Sequence, residues 1–294
     1  VEEKGFAVGE NIDVAYSPER IDPGQKRVAL EDIPKIVGGI TDNCTKKACQ
    51  LYESIFQQVV PVSSAKVAEM SKLVENAQRL INISFINEVA IFCDSLNIDV
   101  WEVIHACSTK PFGFTPYYPG PGIGGHCIPV DPLFLLWKAK EKNTHLSLIE
   151  SSIHVNDMMP HYIVSKVIHL LDKPIQETTI FVIGVTYKKD VNDIRESRAL
   201  LIIEQLLKLG VKVYYPFIPE LKINHITLTS TPIHPDILQS SDCTLILTDH
   251  SNLPYDMIIQ EANQIIDTRN AIQTHLQKHS LDQGHLTEKR SETT

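Results

Sequence analysis

From residue 65 to about 97, apolar side chains recur at helical spacing: Val67, Met70, Leu73, Val74, Ala77, Leu80, Ile81, Ile86, Val89, Ala90, Cys93 and Leu96. The recurrence predicts one helix, about 45–50 Å long at ~1.5 Å per residue. A helix of that length must bury its apolar face along its whole extent, and a dimer interface or a spine between domains would do so. Ahead of it the texture is short and mixed. Residues 11–16 and 58–62 read as strands, with a turn-rich stretch at 17–24 and the run Lys35-Ile36-Val37-Gly38-Gly39-Ile40 between them, and 42–57 as a helix that Thr41 or Asp42 can cap. These pieces look like the end of an α/β domain. After the long helix comes a second one at 100–108, stopping before Lys110-Pro111. A loop over 109–132 follows, then helices at 133–142 and 147–171, with Pro160 expected to kink or split the last.

From 175 onward, apolar strands alternate with helices. Strands are expected at 179–184, 211–215, 226–228, 243–247 and 264–267. Helices are expected at 197–209, ended by Gly210 in a left-handed cap, and at about 233–241 and 254–262. This alternation predicts a doubly wound parallel sheet, placing the chain in the α/β class. The texture divides the chain into 1–62, a helical region 63–172, and 175–294, with a polar and loose tail after about 277.

Composition narrows the function. The 294 residues are 43% hydrophobic and 21% charged, enough for two packed cores and too ordered in character for a disordered chain. A net charge of −9 gives no general attraction to nucleic acid or to an anionic membrane. No apolar run approaches the ~20 residues of a membrane span. The first residues do not resemble a secretory signal, and with no initiating Met the chain is expected to begin partway through a longer protein. Cys44, Cys49, Cys93, Cys107, Cys127 and Cys243 form no Cys-x-x-Cys pair. Their spacing suggests neither a disulfide framework nor a zinc site, and a reducing, cytoplasmic compartment fits.

The chemistry concentrates in four places. In Gly120-Pro121-Gly122-Ile123-Gly124-Gly125-His126-Cys127, a ligand can lie against bare backbone at Gly120, Gly122, Gly124 and Gly125. Cys127 follows directly, and Asp131 shares its direction if 127–131 is a helical turn. A thiol assisted by a helix N-terminus or a cation is a good nucleophile. The competing reading is a packed loop or half a metal site, though no further ligands stand at suitable spacing. On the long helix, Lys72 and Asn76 are four apart and can hold an oxyanion or a water; otherwise they are a solvated face. In Tyr16-Ser17-Pro18-Glu19-Arg20, Glu19 can serve as a base and Arg20 can pair with phosphate or carboxylate; otherwise this is an ordinary charged turn. In the C-terminal region, the turn Gly184-Val185-Thr186-Tyr187-Lys188-Lys189-Asp190 has Thr186 and Lys189 where a dinucleotide turn has its second and third glycines. Its lysines suit a mononucleotide or diphosphate, or are merely solvated. Arg195, just before a helix that Ser197 can cap, can gather anions or form a surface ion pair.

Together with Glu69 to Asn76, the stretch to Pro132, Tyr187-Lys188-Lys189-Asp190, Asp193 to Ser197 and Asp267-Thr268-Arg269-Asn270, these segments resemble the UDP-sugar 6-dehydrogenases, or nucleotide-sugar dehydrogenases. The matches run in the family's order across nearly the whole chain. The loop, with Lys110-Pro111-Phe112-Gly113-Phe114 before it, looks most like the UDP-N-acetylhexosamine branch, with UDP-N-acetylglucosamine the first choice of substrate.

The resemblance implies NAD as cofactor, a UDP-sugar as substrate, a homodimer through the long helix, and a role in polysaccharide precursor synthesis. It implies oxidation of the sugar's C6 alcohol to an aldehyde, addition of Cys127, a second oxidation to a thioester, and hydrolysis to the uronic acid. It further implies that Lys72 and Asn76 stabilise the oxyanion, that Asp131 activates water or orients Lys72, and that Glu19 serves hydrolysis. Arg20, Tyr118, Gly122, Gly124, Tyr187, Lys188 and Arg269 would meet the UDP-sugar, and Arg195 and Cys127 the NAD. Two departures stand out. The family's first domain, whose strand-to-helix turn carries Gly-x-Gly-x-x-Gly, has only its end represented at 1–62, so this chain alone is expected not to turn over. Tyr215-Pro216-Phe217-Ile218-Pro219 also lacks the Asp the family places before that Pro. Two rivals remain: a non-catalytic UDP-sugar-binding or assembly fragment, and a cysteine hydrolase or acyltransferase that needs no NAD.

Overall fold

The computed structural model describes residues 2–21, 28–171, 173–216 and 218–278. Part of the turn-rich stretch after Arg20 and the polar tail beyond 278 lie outside the described residues. The chain packs as two compact units, one made of Val1–Arg79 with Val130–Leu146, the other of Leu80–Pro129 with Ser147–Thr294.

The first unit is built on a three-stranded sheet. Strand β1 (Ala15–Tyr16) pairs antiparallel with β2 (Lys35–Gly39), and β2 pairs parallel with β3 (Val59–Pro61). Helix α1 (Asp42–Tyr52) connects β2 to β3. Thr41 caps it, its Oγ1 accepting the Cys44 N–H at 3.2 Å. Two boundaries fall short of expectation for local reasons. Residues 11–14 do not join β1, because Asn11 Oδ1 accepts the Ala7 N–H and Gly9 N–H bonds to Ile12 O, closing a turn instead. Helix α1 stops five residues early because the N–H groups of Ile55 and Phe56 both turn back onto the Tyr52 carbonyl. The long helix α2 (Ala65–Ser95) is continuous over 31 residues. It begins in the first unit and ends in the second.

In the second unit, α3 (Val100–Ser108) is capped by Asp99 and leads into an irregular run to residue 126. Helix α4 (Cys127–Glu141) starts six residues before the sequence suggested. Pro129 falls in its first turn, where the missing N–H costs nothing, so only Pro132 removes an internal bond. Helix α5 (Ser147–Leu170) runs through Pro160 as one element.

The sheet is four-stranded and parallel in the order β5-β4-β8-β9, from β4 (Thr179–Ile183), β5 (Lys212–Tyr214), β8 (Cys243–Ile246) and β9 (Ile265–Asp267). One face packs Ile180 and Val182 against Val164 and Val167 of α5 and Ile202 and Leu206 of α6 (Arg198–Lys208). The other face packs Phe181 and Ile183 against Leu238 of α7 (Pro235–Ser240) and Ile258 of α8 (Tyr255–Glu261). The doubly wound expectation therefore stands, with one correction. The strand expected at 226–228 is not in the parallel sheet. It is β7 (Ile226–Thr229), which forms an antiparallel hairpin with β6 (Glu220–Ile223) across the tight turn at Asn224. Two residues between complementary strands close a hairpin more readily than a crossover. Gly210, at φ +85°, ends α6 as expected, with Val211 N–H bonding back to Leu206 O. Ser197 stands at the N-cap of α6 but its side chain makes no capping bond. A helix at 271–278 closes the described chain. No described helix is long and apolar enough to cross a membrane.

Candidate functional site

Cys127 is the first residue of α4 and is exposed, as is Cys107; the other four cysteines are buried, and all six are free. Burial pushes the Cys243 thiol up to about 12, which leaves it inert. As the first residue of α4, Cys127 stands beside backbone N–H groups that have no intrahelical acceptor.

The loop before Cys127 is held from three sides within the second unit. Asn87 of α2 accepts the Gly120 N–H at 2.9 Å. Asn156 of α5 clamps Ile123, accepting its N–H at 2.6 Å and donating to its carbonyl at 3.2 Å. Arg198 Nε donates to the same carbonyl at 3.0 Å and pairs with Asp157 at 2.9 Å. Gly122 packs against Asn156 and Arg198, and Gly124 against the Glu196 carbonyl. Gly125, at φ +81°, lies on the Tyr187 ring so closely that a Cβ would come within 2.8 Å of it, and its N–H bonds to Arg195 O. Only glycine meets both demands there.

Arg195 lies beside this loop. Its guanidinium is 73% exposed and forks onto Asp193 at 2.6 and 3.0 Å. The Asp193 carboxylate raises its pKa, and the fields of Tyr187 and Cys127 reach it too. Arg195 is thus a surface ion pair and a cation near the sulfur at once.

Tyr118 and Arg269 meet elsewhere in the unit. Tyr118 stacks on Trp101, centroids 5.8 Å apart and planes at 15°. Both line a cavity of 720 Å³ whose walls also include Asp249, Arg269 and Asn270. The Arg269 guanidinium fills the space beneath Gly120 and donates to Leu247 O at 3.0 Å. Burial pulls its pKa down, against Asp249 and Asp267. Cys127, Tyr187 and Lys188 do not line this cavity.

The other expected residues belong to the first unit. Asn76, 3% exposed, donates from Nδ2 to Asp131 Oδ2 and accepts from Arg79. Lys72 lies one turn earlier on α2 and is half-buried. Asp131 is one turn from Cys127 along α4. Arg20 is engaged by Glu75, at 2.7 and 3.3 Å, and by Pro34 O at 2.8 Å. Glu19 Oε1 accepts the N–H groups of Arg20 and Ile21, and Lys35 approaches its other oxygen at 3.5 Å. Burial opposes ionisation of Glu19, but these donors hold its pKa below the ordinary value. Asp131→Ala should cost about 1–3 kcal/mol in urea unfolding, since it strands a buried amide, and Asp131→Asn should recover most of that. Equal midpoints for all three proteins would show that Asn76 finds another acceptor.

Sequence reasoning missed Asn87, Asn156 and Arg198, which grip the Cys127 loop. The only signal was a polar residue at a buried helical position, Asn87 at 0% and Asn156 at 1% exposure. Gly120, Gly122 and Gly125 have the Gly-x-Gly-x-x-Gly spacing. They follow α3 and an irregular run instead of a strand, so they do not make a dinucleotide turn.

Family models match in two adjacent stretches. The central domain of the UDP-glucose/GDP-mannose dehydrogenase family matches residues 66–158, and the family's UDP binding domain matches 181–274. An NDP-N-acetyl-D-galactosaminuronic acid dehydrogenase of Ralstonia nicotianae is 34% identical over 262 residues, 88% of this chain and 61% of the relative. A UDP-N-acetyl-D-mannosamine dehydrogenase of Methanococcus maripaludis is 34% identical over 280 residues, 92% of this chain and 64% of the relative. The solved UDP-D-ManNAc dehydrogenase of Pyrococcus horikoshii superposes with a TM-score of 0.80 at 28% identity, covering 92% of this chain and 64% of that one. The chain therefore spans about three fifths of the length of the relatives it matches. With both family models matched in order and the relatives aligned over most of its length, the chain belongs to the UDP-glucose/GDP-mannose dehydrogenase family.

Proposed function

We propose that the chain carries the sugar-oxidising part of an NAD-dependent dehydrogenase that converts the C6 alcohol of a UDP-N-acetylhexosamine to the uronic acid. The observation that carries this reading is Cys127, exposed at the start of α4, at the end of a loop gripped by Asn87, Asn156 and Arg198. Dehydrogenases of this family are NAD-dependent, and NAD when bound supplies the hydride acceptor. The residues in hand fit that cofactor only in part. They offer the Arg195 guanidinium and the Cys127 loop, but among the described residues no strand-to-helix glycine turn for its pyrophosphate. Accordingly, the 294-residue chain is expected to bind UDP-sugar without turning it over.

The chain's own residues account for the remaining chemistry. After the alcohol has lost a hydride and a proton to become an aldehyde, the Cys127 sulfur adds to its carbon, and the carbonyl oxygen takes up the charge. Loss of a second hydride leaves the carbon as a thioester. Water then displaces the sulfur and releases the carboxylate and the thiol. The pair Asn76 and Asp131, with Lys72 a turn away, supports the reading of α2 as oxyanion and water holder. Glu19 is read as the base for the hydrolysis; its lowered pKa keeps it ionised and makes it a weak one. Tyr187 and Lys188 are read as contacts for the diphosphate, and Tyr118 and Arg269 as contacts for the nucleotide. The exposed Val67, Met70, Val74, Phe85 and Phe92 of α2 support a homodimer through that helix.

The expectation of UDP-N-acetylglucosamine as substrate gives way to the wider class. The two aligned relatives are named for N-acetylmannosamine and N-acetylgalactosaminuronic acid, which favours UDP-N-acetylmannosamine as the first epimer to try. NADH formation by the whole protein, followed with UDP-N-acetylmannosamine, UDP-N-acetylglucosamine and UDP-glucose, is expected with an N-acetylhexosamine, two NADH per sugar. No NADH with any of the three would end this reading.

A further inference from the structure

We propose that His250 is a positioning residue, a clasp that shapes the Tyr187–Lys188 turn to receive a nucleoside diphosphate. The proposal rests on the reading of that turn as a diphosphate contact. His250 follows β8 and faces the turn after β4. Its Nδ1 accepts the Asp190 N–H at 3.0 Å, and its Nε2 lies 3.3 Å from Thr186 Oγ1. One ring thus ties both ends of the five-residue segment 186–190, with Tyr187 and Lys188 between the ties.

The protons of this network can be placed. Thr186 Oγ1 spends its hydrogen on Lys188 O at 2.9 Å, so towards His250 it can only accept. Nε2 must therefore carry a proton, and Nδ1, already accepting from Asp190, must not. The geometry assigns the neutral Nε2–H tautomer. Both ends of the clasp are anchored in turn. Asp190 is in the left-handed region at φ +58°, and its carboxylate accepts Ser251 N–H at 2.8 Å and Ser251 Oγ–H at 2.6 Å. Thr186 O accepts from Thr248 Oγ1 at 2.9 Å, and the His250 carbonyl accepts from Tyr255 of α8 at 3.0 Å. The segment so shaped carries Tyr187, whose N–H bonds to Asp193 O and whose ring lies under Gly125. The clasp therefore bears on the loop that presents Cys127.

Protonation would undo one tie. An imidazolium has an N–H at both nitrogens, and at Nδ1 it would face the Asp190 N–H donor to donor. The charged groups facing the ring are Asp190 and Lys189 from the turn after β4, and Asp249 from the end of β8. Burial pushes the His250 pKa below its ordinary value, and Lys189 adds to this, while Asp190 and Asp249 pull the other way. The ring is neutral and the clasp closed above that lowered pKa, and the clasp opens as pH falls through it.

Asparagine places an acceptor where Nδ1 stands, while alanine offers none. UDP binding to the full 294-residue chain, measured by calorimetry, should weaken about tenfold in His250→Ala, the loss of one well-made hydrogen bond, and recover to within about threefold in His250→Asn. As pH falls through the lowered His250 pKa, the wild type should lose UDP affinity more steeply than His250→Asn. The second ionisation of the phosphate is common to both proteins and cancels in the comparison. Wild-type affinity in His250→Ala, or equal weakness in both variants with unchanged unfolding midpoints, would overturn the clasp. If the wild-type chain binds no UDP, the diphosphate reading of the turn falls, and with it the ligand of this proposal. The clasp is then judged by hydrogen exchange at the Asp190 amide, which should be protected in the wild type and His250→Asn and lost in His250→Ala; equal exchange in all three overturns it as well.

Discussion

Cys127→Ser is expected to lower steady-state NADH formation by the whole protein about 1,000-fold or more. A serine hydroxyl is a far weaker nucleophile than a thiol at neutral pH, so the covalent step fails even though the side chain is nearly the same size. The variant should leave the fold alone. Cys127 is exposed at the first position of α4, and a surface exchange of sulfur for oxygen changes stability by about 0.5 kcal/mol or less. UDP affinity and the urea midpoint should thus match the wild type while turnover collapses. Full retained turnover would remove the nucleophile role and leave the loop as a binding element only.

The largest effect on stability is expected from Gly184→Ala. Gly184 ends β4 at φ +89°, and an added Cβ would stand 2.5 Å from the Thr248 amide nitrogen and overlap the Thr248 side chain. Neither neighbour can yield cheaply. Thr248 is 2% exposed, its N–H and that of Leu247 both bond to Ile183 O, and its hydroxyl holds Thr186 O. Relief would require shifting β4 against β8, where Ile183 pairs with Ile246. Left-handed strain of about 1–2 kcal/mol adds to overpacking of about 1–3 kcal/mol. The expected loss of about 2–5 kcal/mol is a large share of the ~5–15 kcal/mol that holds a domain folded. A loss under about 1 kcal/mol in urea unfolding would show that the strand end relaxes freely.

Periodicity made the frame legible. The 31-residue α2, α3 to the residue, and the strands at 179–183, 243–246 and 265–267 all follow from apolar spacing. What it could not reach was decided by side chains that compete with the backbone. Asn11 closed a turn where a strand was expected, and Pro129 sat harmlessly in the first turn of α4, so the helix began at Cys127. The hairpin β6–β7 looked like another parallel strand because four residues of alternating pattern do not say which partner they pair with. At the site, the residues proposed to bear chemistry stood out in short motifs. The residues that hold them, Asn87, Asn156, Arg198 and His250, were not, since each lies remote in sequence from the group it grips and alone reads as an ordinary polar side chain.

The order of the parallel sheet also bears on how the chain stays out of trouble with its own copies. Its outer strands, β5 and β9, are three residues each, too short to template a strand from a second molecule. Pro216, two residues past β5, blocks extension on that side. The sticky segment is inside: Ile180-Phe181-Val182-Ile183, wholly apolar and 0% exposed, paired with a strand about sixty residues later in the chain. That pairing must wait for a long loop to close. Until it does, a strand of high β-propensity is open to neighbours. The finished sheet is protected at its edges, and the hazard of aggregation falls in the interval before β8 arrives. Refolding yield is therefore tied to protein concentration and to the speed of closing one distant pair.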